Sequence, residues 1–302
     1  MTRRNFLSTT TVGAAALASP LTALSESSPP KAAPGFELLI LATNWGFPGS
    51  FNLFAPQAKN AGYDGAEIWW PGDEKGQNNV LEELNKHGLK PAFLWGSGEK
   101  DFQKHEAEFQ KMVQSMLAVK PIYINCHSGK DYFTAEQNQR LIDYSYKIAG
   151  RTGIPVYHET HRGRALFSTT AAKTFIEKSP DLRITFDVSH WCNVHESMLG
   201  DQTEILDLTL SRTEHIHARI GHPEGPQVND PRAPEWKDIV QTHLGWWDKV
   251  VDRKKKEGGR ITFLTEFGPP DYMPTLPYTR QPLADQWGVN VYMKDLLRKR
   301  YA

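Results

Sequence analysis

The stretch "EHIHARIG", residues 214–221, decides the fold. Side chains along a β-strand alternate between its two faces. One parity here collects His215, His217 and Arg219, and the other collects Ile216, Ala218 and Ile220. The apolar set is suited to packing under helices, so His217 and Arg219 point the other way, into an interior. The stretch "FDVSH", residues 186–190, repeats the pattern, with Phe186 and Val188 on one face and Asp187 on the other. Thr262, Leu264 and Glu266 share a face in "ITFLTEF" (261–267), as do Tyr157, Glu159 and His161 in "PVYHETH" (155–161), and Tyr123, Asn125 and His127 upstream. The 155–161 segment is less regular, because His158 and Thr160 fall where apolar residues are expected.

Working outward, short apolar runs alternate with longer helical patterns. Strands are expected over Glu37–Gly46, Gly65–Trp70, Lys90–Gly96, Pro121–Ser128, Pro155–His161, Leu182–Trp191, His215–Gly221 and Arg260–Phe267. Helices are expected over Phe51–Ala61, Asn78–His87, Asp101–Val119, Ala135–Arg151, Thr169–Glu177, Gln202–Ser211, Trp236–Lys256 and Leu283–Arg300. Gly or Pro marks most helix-to-strand joins, as at Gly62, Gly88, Pro121, Gly153 and Gly258-Gly259. Strand–helix repetition implies a parallel sheet with crossover helices. Eight such units match the size of a (β/α)8 barrel, about 250 residues. The fold class is therefore α/β, a single-domain (β/α)8 TIM barrel. A doubly wound open sheet is the runner-up, but the first strand ends "ATNWGFPGS" without the G-x-G-x-x-G turn.

The chain has 302 residues, with 35 basic and 35 acidic side chains. A formally neutral protein lacks the Lys/Arg excess on which nucleic-acid affinity rests, so no nucleic-acid partner is expected. The N-terminus pairs Arg3-Arg4 with Phe6-Leu7, an Ala-rich apolar stretch and the small-x-small triplet Ala16-Leu17-Ala18. This resembles a twin-arginine export signal. Residues 1–33 are read as signal and linker, and 34–302 as the barrel. The mature protein is then expected to be periplasmic or secreted, with no stable membrane anchor after signal removal. The two cysteines, Cys126 and Cys192, do not make a disulfide framework. Homo-oligomerisation is left open.

The inward polar residues lie near the C-terminal ends of their strands, where barrel enzymes carry their active sites. Glu159, Asp187, His217 and Glu266 thus converge from four consecutive strands. Three buried carboxylates without a cation would repel one another and be expensive to desolvate. With one imidazole they suit a single divalent ion, Mn²⁺ first, with Mg²⁺, Co²⁺ or Zn²⁺ as alternatives. His215, one layer deeper, reads as a supporting core histidine.

The order Glu159 in "HET", Asp187 with His190 in "FDVSH", His217 in "HIHAR" and Glu266 in "TEFG" resembles the xylose isomerase-like barrel superfamily. Within it the chain is similar to the sugar phosphate isomerase/epimerase group, whose better-known members include D-tagatose 3-epimerase and inosose-processing enzymes. The resemblance runs from about Glu37 to the C-terminus, and "HARIGHPEGPQVNDPRAPEW" (217–236) resembles a further signature of that group. It implies that Glu159 and Glu266 take and return a proton beside a carbonyl, while Asp187 and His217 complete the metal shell. It also implies substrate contacts from His190 and Arg219, and matches Glu67 in "GAEIWW" to a polar position at the end of strand two. His127 and His161, by their face, and Trp69, as a surface on which a sugar stacks, complete the expected substrate site. The expected substrate is a small carbohydrate, unphosphorylated because the chain is read as exported. The competing functions are a lyase or dehydratase on a keto-glycoside or inosose, an endonuclease IV-type nuclease, and a non-catalytic sugar-binding protein. The loop Gly221–Glu235, rich in Pro and charge, is expected to be a lid or a partner contact.

Overall fold

The computed structural model describes residues 34–302, so the expected export signal lies outside the described residues. Eight parallel strands close a barrel in chain order. They are β1 (Glu37–Ala42), β2 (Gly65–Trp69), β3 (Lys90–Trp95), β4 (Ile124–Cys126), β5 (Val156–Glu159), β6 (Ile184–Phe186), β7 (Thr213–His217) and β8 (Arg260–Leu264). Between them run α1 (Phe51–Asn60), α2 (Glu74–Lys86), α3 (Phe102–Ala118), α4 (Ala135–Thr152), α5 (Thr169–Lys178), α6 (Val188–Val194), α7 (Thr203–Ser211) and α8 (Lys237–Glu257), with α9 (Gln286–Tyr301) last. The pairing of β1 with β8, Leu39 opposite Thr262 and Leu41 opposite Leu264, closes the ring. Among the described residues no helix is long and apolar enough to cross a membrane.

Strand parity produces two separate apolar cores. Ile216, Ala218, Ile220, Phe186 and Val188 join the large core between strands and helices. Leu39, Leu41, Ala92, Tyr123, Tyr157 and Leu264 form a second, smaller one inside the barrel. Both cysteines are buried and free. The outer-face irregularity of β5 has a local explanation. His158 sits between Ser128 Oγ, 2.6 Å from Nδ1, and Ser145 Oγ of α4, 2.6 Å from Nε2. Burial lowers its pKa to about 4, so it is a neutral bridge between strand and helix. Thr160 uses one hydroxyl to accept from the Asp187 N–H at 2.8 Å and to donate to the Asp187 C=O at 2.9 Å.

The strands are shorter than the apolar runs suggest, and the difference is largest at β6. The expected strand Leu182–Trp191 ends at Phe186, and residues 188–194 form α6. Asp187 makes the change: its side chain accepts from the Ser189 N–H and caps the helix. Aspartates also set two helix starts that apolar spacing misplaces. Asp73 caps α2, which begins four residues before the expected Asn78, and Asp285 caps α9, which begins at Gln286 and not at Leu283.

Candidate active site

Glu159 ends β5, Asp187 follows β6, His217 ends β7, and Glu266 lies two residues past β8. The structure brings three of them together: donor atoms of Asp187, His217 and Glu266 all lie within 4.8 Å of one another, while Glu159 groups with Asp187 and His190. His217 Nδ1 is 2.8 Å from Glu266 Oε2 and 3.6 Å from Glu159 Oε1. All four side chains are buried, Glu266 the least, at 7 % exposure.

The floor beneath them fixes the histidine. Glu67, 1 % exposed, lies 3.1 Å from His217 Nε2 and 3.0 Å from His215 Nε2, and accepts from Tyr123 Oη at 2.7 Å. Asn125 Nδ2 donates to Glu159 Oε2 at 2.8 Å and to Glu67 Oε1 at 3.3 Å. A carboxylate only accepts, and one faces each ring nitrogen of His217, Glu67 at Nε2 and Glu266 at Nδ1. His217 Nδ1 and Glu266 Oε2 face each other at 2.8 Å without the alignment of a hydrogen bond, and neither has another partner.

Electrostatics place the same demand on this spot. Burial disfavours the charged form of His217, yet the carboxylates of Glu266, Glu159 and Glu67 outweigh it and raise its pKa well above the usual value. Burial pushes the Asp187 carboxyl up, with Glu266 and Glu159 adding to the shift, against the Arg219 guanidinium that it touches. Something positive belongs at Nδ1, either a second proton or a metal ion. One imidazole nitrogen and the carboxylates of Asp187 and Glu266 converge there, with Glu159 3.6 Å from the same nitrogen, and this donor set fits a divalent ion.

Above the cluster opens a cavity of about 510 Å³, in the range of small-molecule sites. His127, His161, Trp69, Arg219, Glu67 and Glu266 all border it. His127 Nε2 is 2.9 Å from Glu159 Oε2. The His161 ring lies 3.8 Å from that of His190, which is fully buried and takes a hydrogen bond on Nε2 from Arg219 at 2.9 Å. His190 is thus placed behind Arg219 and outside the cavity wall. Sequence reasoning missed Tyr272, whose ring lines the cavity with the Arg219 guanidinium 4.7 Å from its centroid. Its signal was its place in the loop after the last barrel strand, where barrel sites gather residues.

The loop after β7 is tied down along its length. Gly221 N–H donates to His243 Nε2 at 3.2 Å, Val228 N–H to the Ile220 C=O at 2.9 Å, and Trp236 Nε1 to Asn229 Oδ1 at 2.8 Å.

The family model of the xylose isomerase-like TIM barrel matches residues 55–240. No curated protein matches the chain in sequence. Among solved structures, it resembles a 3-keto-D-glucoside 4-epimerase from E. coli at 14 % identity, covering 87 % of this chain and 100 % of that one, with a TM-score of 0.59. It resembles a probable 3-DHS dehydratase from Bacillus anthracis at 15 % identity, with coverage of 87 % and 100 % and a TM-score of 0.56. Endonuclease IV from Thermus thermophilus is similar at 12 % identity, with coverage of 88 % and 98 % and a TM-score of 0.53. Similarity at this level shows a shared fold, and the reactions of these proteins differ.

Proposed function

The chain belongs to the xylose isomerase-like TIM barrel family, and on that premise we propose that it is a divalent-metal-dependent isomerase or epimerase, removing and returning a proton beside a carbonyl of an unphosphorylated sugar or cyclitol. The observation that carries the proposal is the orphaned His217 Nδ1, held among three carboxylates at the base of a cavity. Glu159, Asp187, His217 and Glu266 would hold the ion, with Mn²⁺ the first choice for this donor set. A bound divalent ion supplies electrostatic stabilisation to negative charge on the carbonyl oxygen.

The remaining steps fall to the chain's own residues. Glu266 borders the cavity and is the carboxylate that takes the proton. Glu159 lies deeper, braced by Asn125 and His127, and returns it. Arg219, held charged by Asp187 and Glu266 against the effect of burial, adds positive charge at the cavity wall. Trp45, Trp69 and Tyr272 line the cavity and would pack against the C–H surface of a sugar. Two features favour an unphosphorylated substrate. Arg219 is the one Arg or Lys lining the cavity among the described residues, and it is already paired with Asp187. Glu67 and Glu266 line the same space and would repel a phosphate. Export to the periplasm or beyond is part of this reading and rests on residues 1–33 alone.

The test is incubation of the Mn²⁺-loaded protein with unphosphorylated ketoses and keto-glycosides in D₂O. Deuterium at the carbon beside the carbonyl, with the skeleton retained, is expected. Release of a β-substituent would replace epimerisation by elimination. Absence of exchange and turnover with every divalent ion would remove the enzymatic reading.

A further inference from the structure

Glu266 stands beyond the end of β8, where the barrel ladder no longer holds the chain. The next two residues are gripped by side-chain amides from two other parts of the molecule. Phe267 N–H donates to Asn290 Oδ1 at 2.8 Å, and its C=O accepts from Asn290 Nδ2 at 2.9 Å. Gly268 N–H donates to Gln227 Oε1 at 2.7 Å, and its C=O accepts from Gln227 Nε2 at 3.2 Å. Asn290 comes from α9, and Gln227 from the loop after β7. Both are buried, at 6 % and 3 % exposure. A carboxamide is the neutral side chain that presents a donor and an acceptor side by side, as a peptide group does. Each amide therefore does for one residue what a neighbouring strand does in the ladder.

The grip leaves no slack on the cavity side. A Cβ on Gly268 would collide with the Trp45 ring, so glycine lets the chain pass between Trp45 and Gln227 without displacing that ring. The tether of the loop at Val228, next to Gln227, anchors the clamp in turn.

We infer that Gln227, together with Asn290, is a positioning residue for Glu266. By fixing the backbone at residues 267–268, the pair holds the Glu266 carboxylate against His217 Nδ1. This assigns a task to the "GPQV" segment of the loop: it braces one acidic group of the site from outside. The consequence for metal binding rests on the reading of Glu266 as a ligand, whereas the clamp itself does not.

The experiment compares full-length wild type, Gln227→Ala, Gln227→Glu and Asn229→Ala. Asn229 lies in the same loop but bonds Trp236, so its loss loosens the loop without touching the clamp. In calorimetric titrations of metal-free protein with Mn²⁺, Gln227→Ala is expected to bind about 10- to 100-fold more weakly, the range for loss of a group that orients a ligand. Gln227→Glu keeps the acceptor for Gly268 N–H and loses the donor, and should fall between wild type and Gln227→Ala. Asn229→Ala should bind as wild type does. Equal weakening in Asn229→Ala, or unchanged affinity in both Gln227 variants, overturns the inference. A crystal structure of Gln227→Ala, or of Gln227→Glu if the alanine variant does not fold, decides separately. Glu266 Oε2 still 2.8 Å from His217 Nδ1 would overturn the inference, and a displaced carboxylate would support it. If wild type takes up no Mn²⁺, the metal reading of the previous subsection falls and the crystal structure alone judges the clamp.

Discussion

His158 and His217 are both buried histidines on barrel strands, one on the outer face and one on the inner. Each ring nitrogen of His158 meets a serine hydroxyl, and burial holds the imidazole neutral with a pKa near 4. The Nε2 of His217 meets Glu67, and its Nδ1 meets carboxylates without a hydrogen bond. The outer site is complete in itself. The inner one is short of positive charge, which a packing role does not explain, since buried ionised groups are costly unless paired.

The strongest way to break this comparison is to remove charge from the inner site. Without metal, Glu266→Gln removes the carboxylate that faces a protonated His217, and breaking that buried pair is expected to lower stability by about 3–5 kcal/mol. With Mn²⁺ at a thousand times Kd, wild type should gain about 4 kcal/mol, and the variant far less. Denaturant unfolding with EDTA and with Mn²⁺ measures both differences. A metal-free Glu266→Gln more stable than wild type would mean that repulsion among the carboxylates outweighs the pair with His217.

The outer site gives the contrasting expectation. His158→Ala removes the bridge between β5 and α4, leaves a cavity and strands the Ser128 hydroxyl. A loss of about 2–3 kcal/mol is expected, with Mn²⁺ affinity unchanged. A matching loss of metal binding would show that the two faces are coupled through β5, where Glu159 follows His158 directly.

How much of this was legible in the sequence follows from the range of each interaction. Alternation in "EHIHARIG" and "FDVSH" was enough to orient His217, Arg219 and Asp187, because strand parity is local. The helical turn after Asp187 was not read, since Val188, Trp191 and Cys192 suit a buried strand as well as a buried helix. Its signal was the aspartate itself, an N-cap residue like Asp73 and Asp285. The outward turn of His158 was legible, but its two serines, 30 and 13 positions away, were not. Glu67 was expected at the end of β2 but sits at its middle, in the floor of the site, and its grip on two histidines nearly 150 positions away depends on barrel closure. The loop after β7 was marked by composition, but Gln227 meets Gly268 across 41 positions, and no local pattern announces that.

An effect that grows only as pH falls sharpens the comparison away from the metal ligands. His243 of α8 donates from Nδ1 to the Ile239 C=O at 2.9 Å and accepts the Gly221 N–H on Nε2 at 3.2 Å. It is fully buried, and burial lowers its pKa to about 4. Like His158, it is a neutral histidine whose two nitrogens are already used, and protonation would destroy the acceptor that holds the start of the loop after β7. The unfolded chain takes up its proton near pH 6.5, and the folded protein only near pH 4. Stability is therefore whole above about pH 6.5 and falls as pH drops toward 4, by up to about 3 kcal/mol from this one group. Comparing wild type with His243→Gln cancels the carboxylates, which titrate in both. The stability of wild type relative to the variant should decline between pH 7 and pH 4 in urea unfolding. Parallel curves would show that the imidazole is not held neutral, and that burial alone does not set the behaviour of histidines outside the barrel.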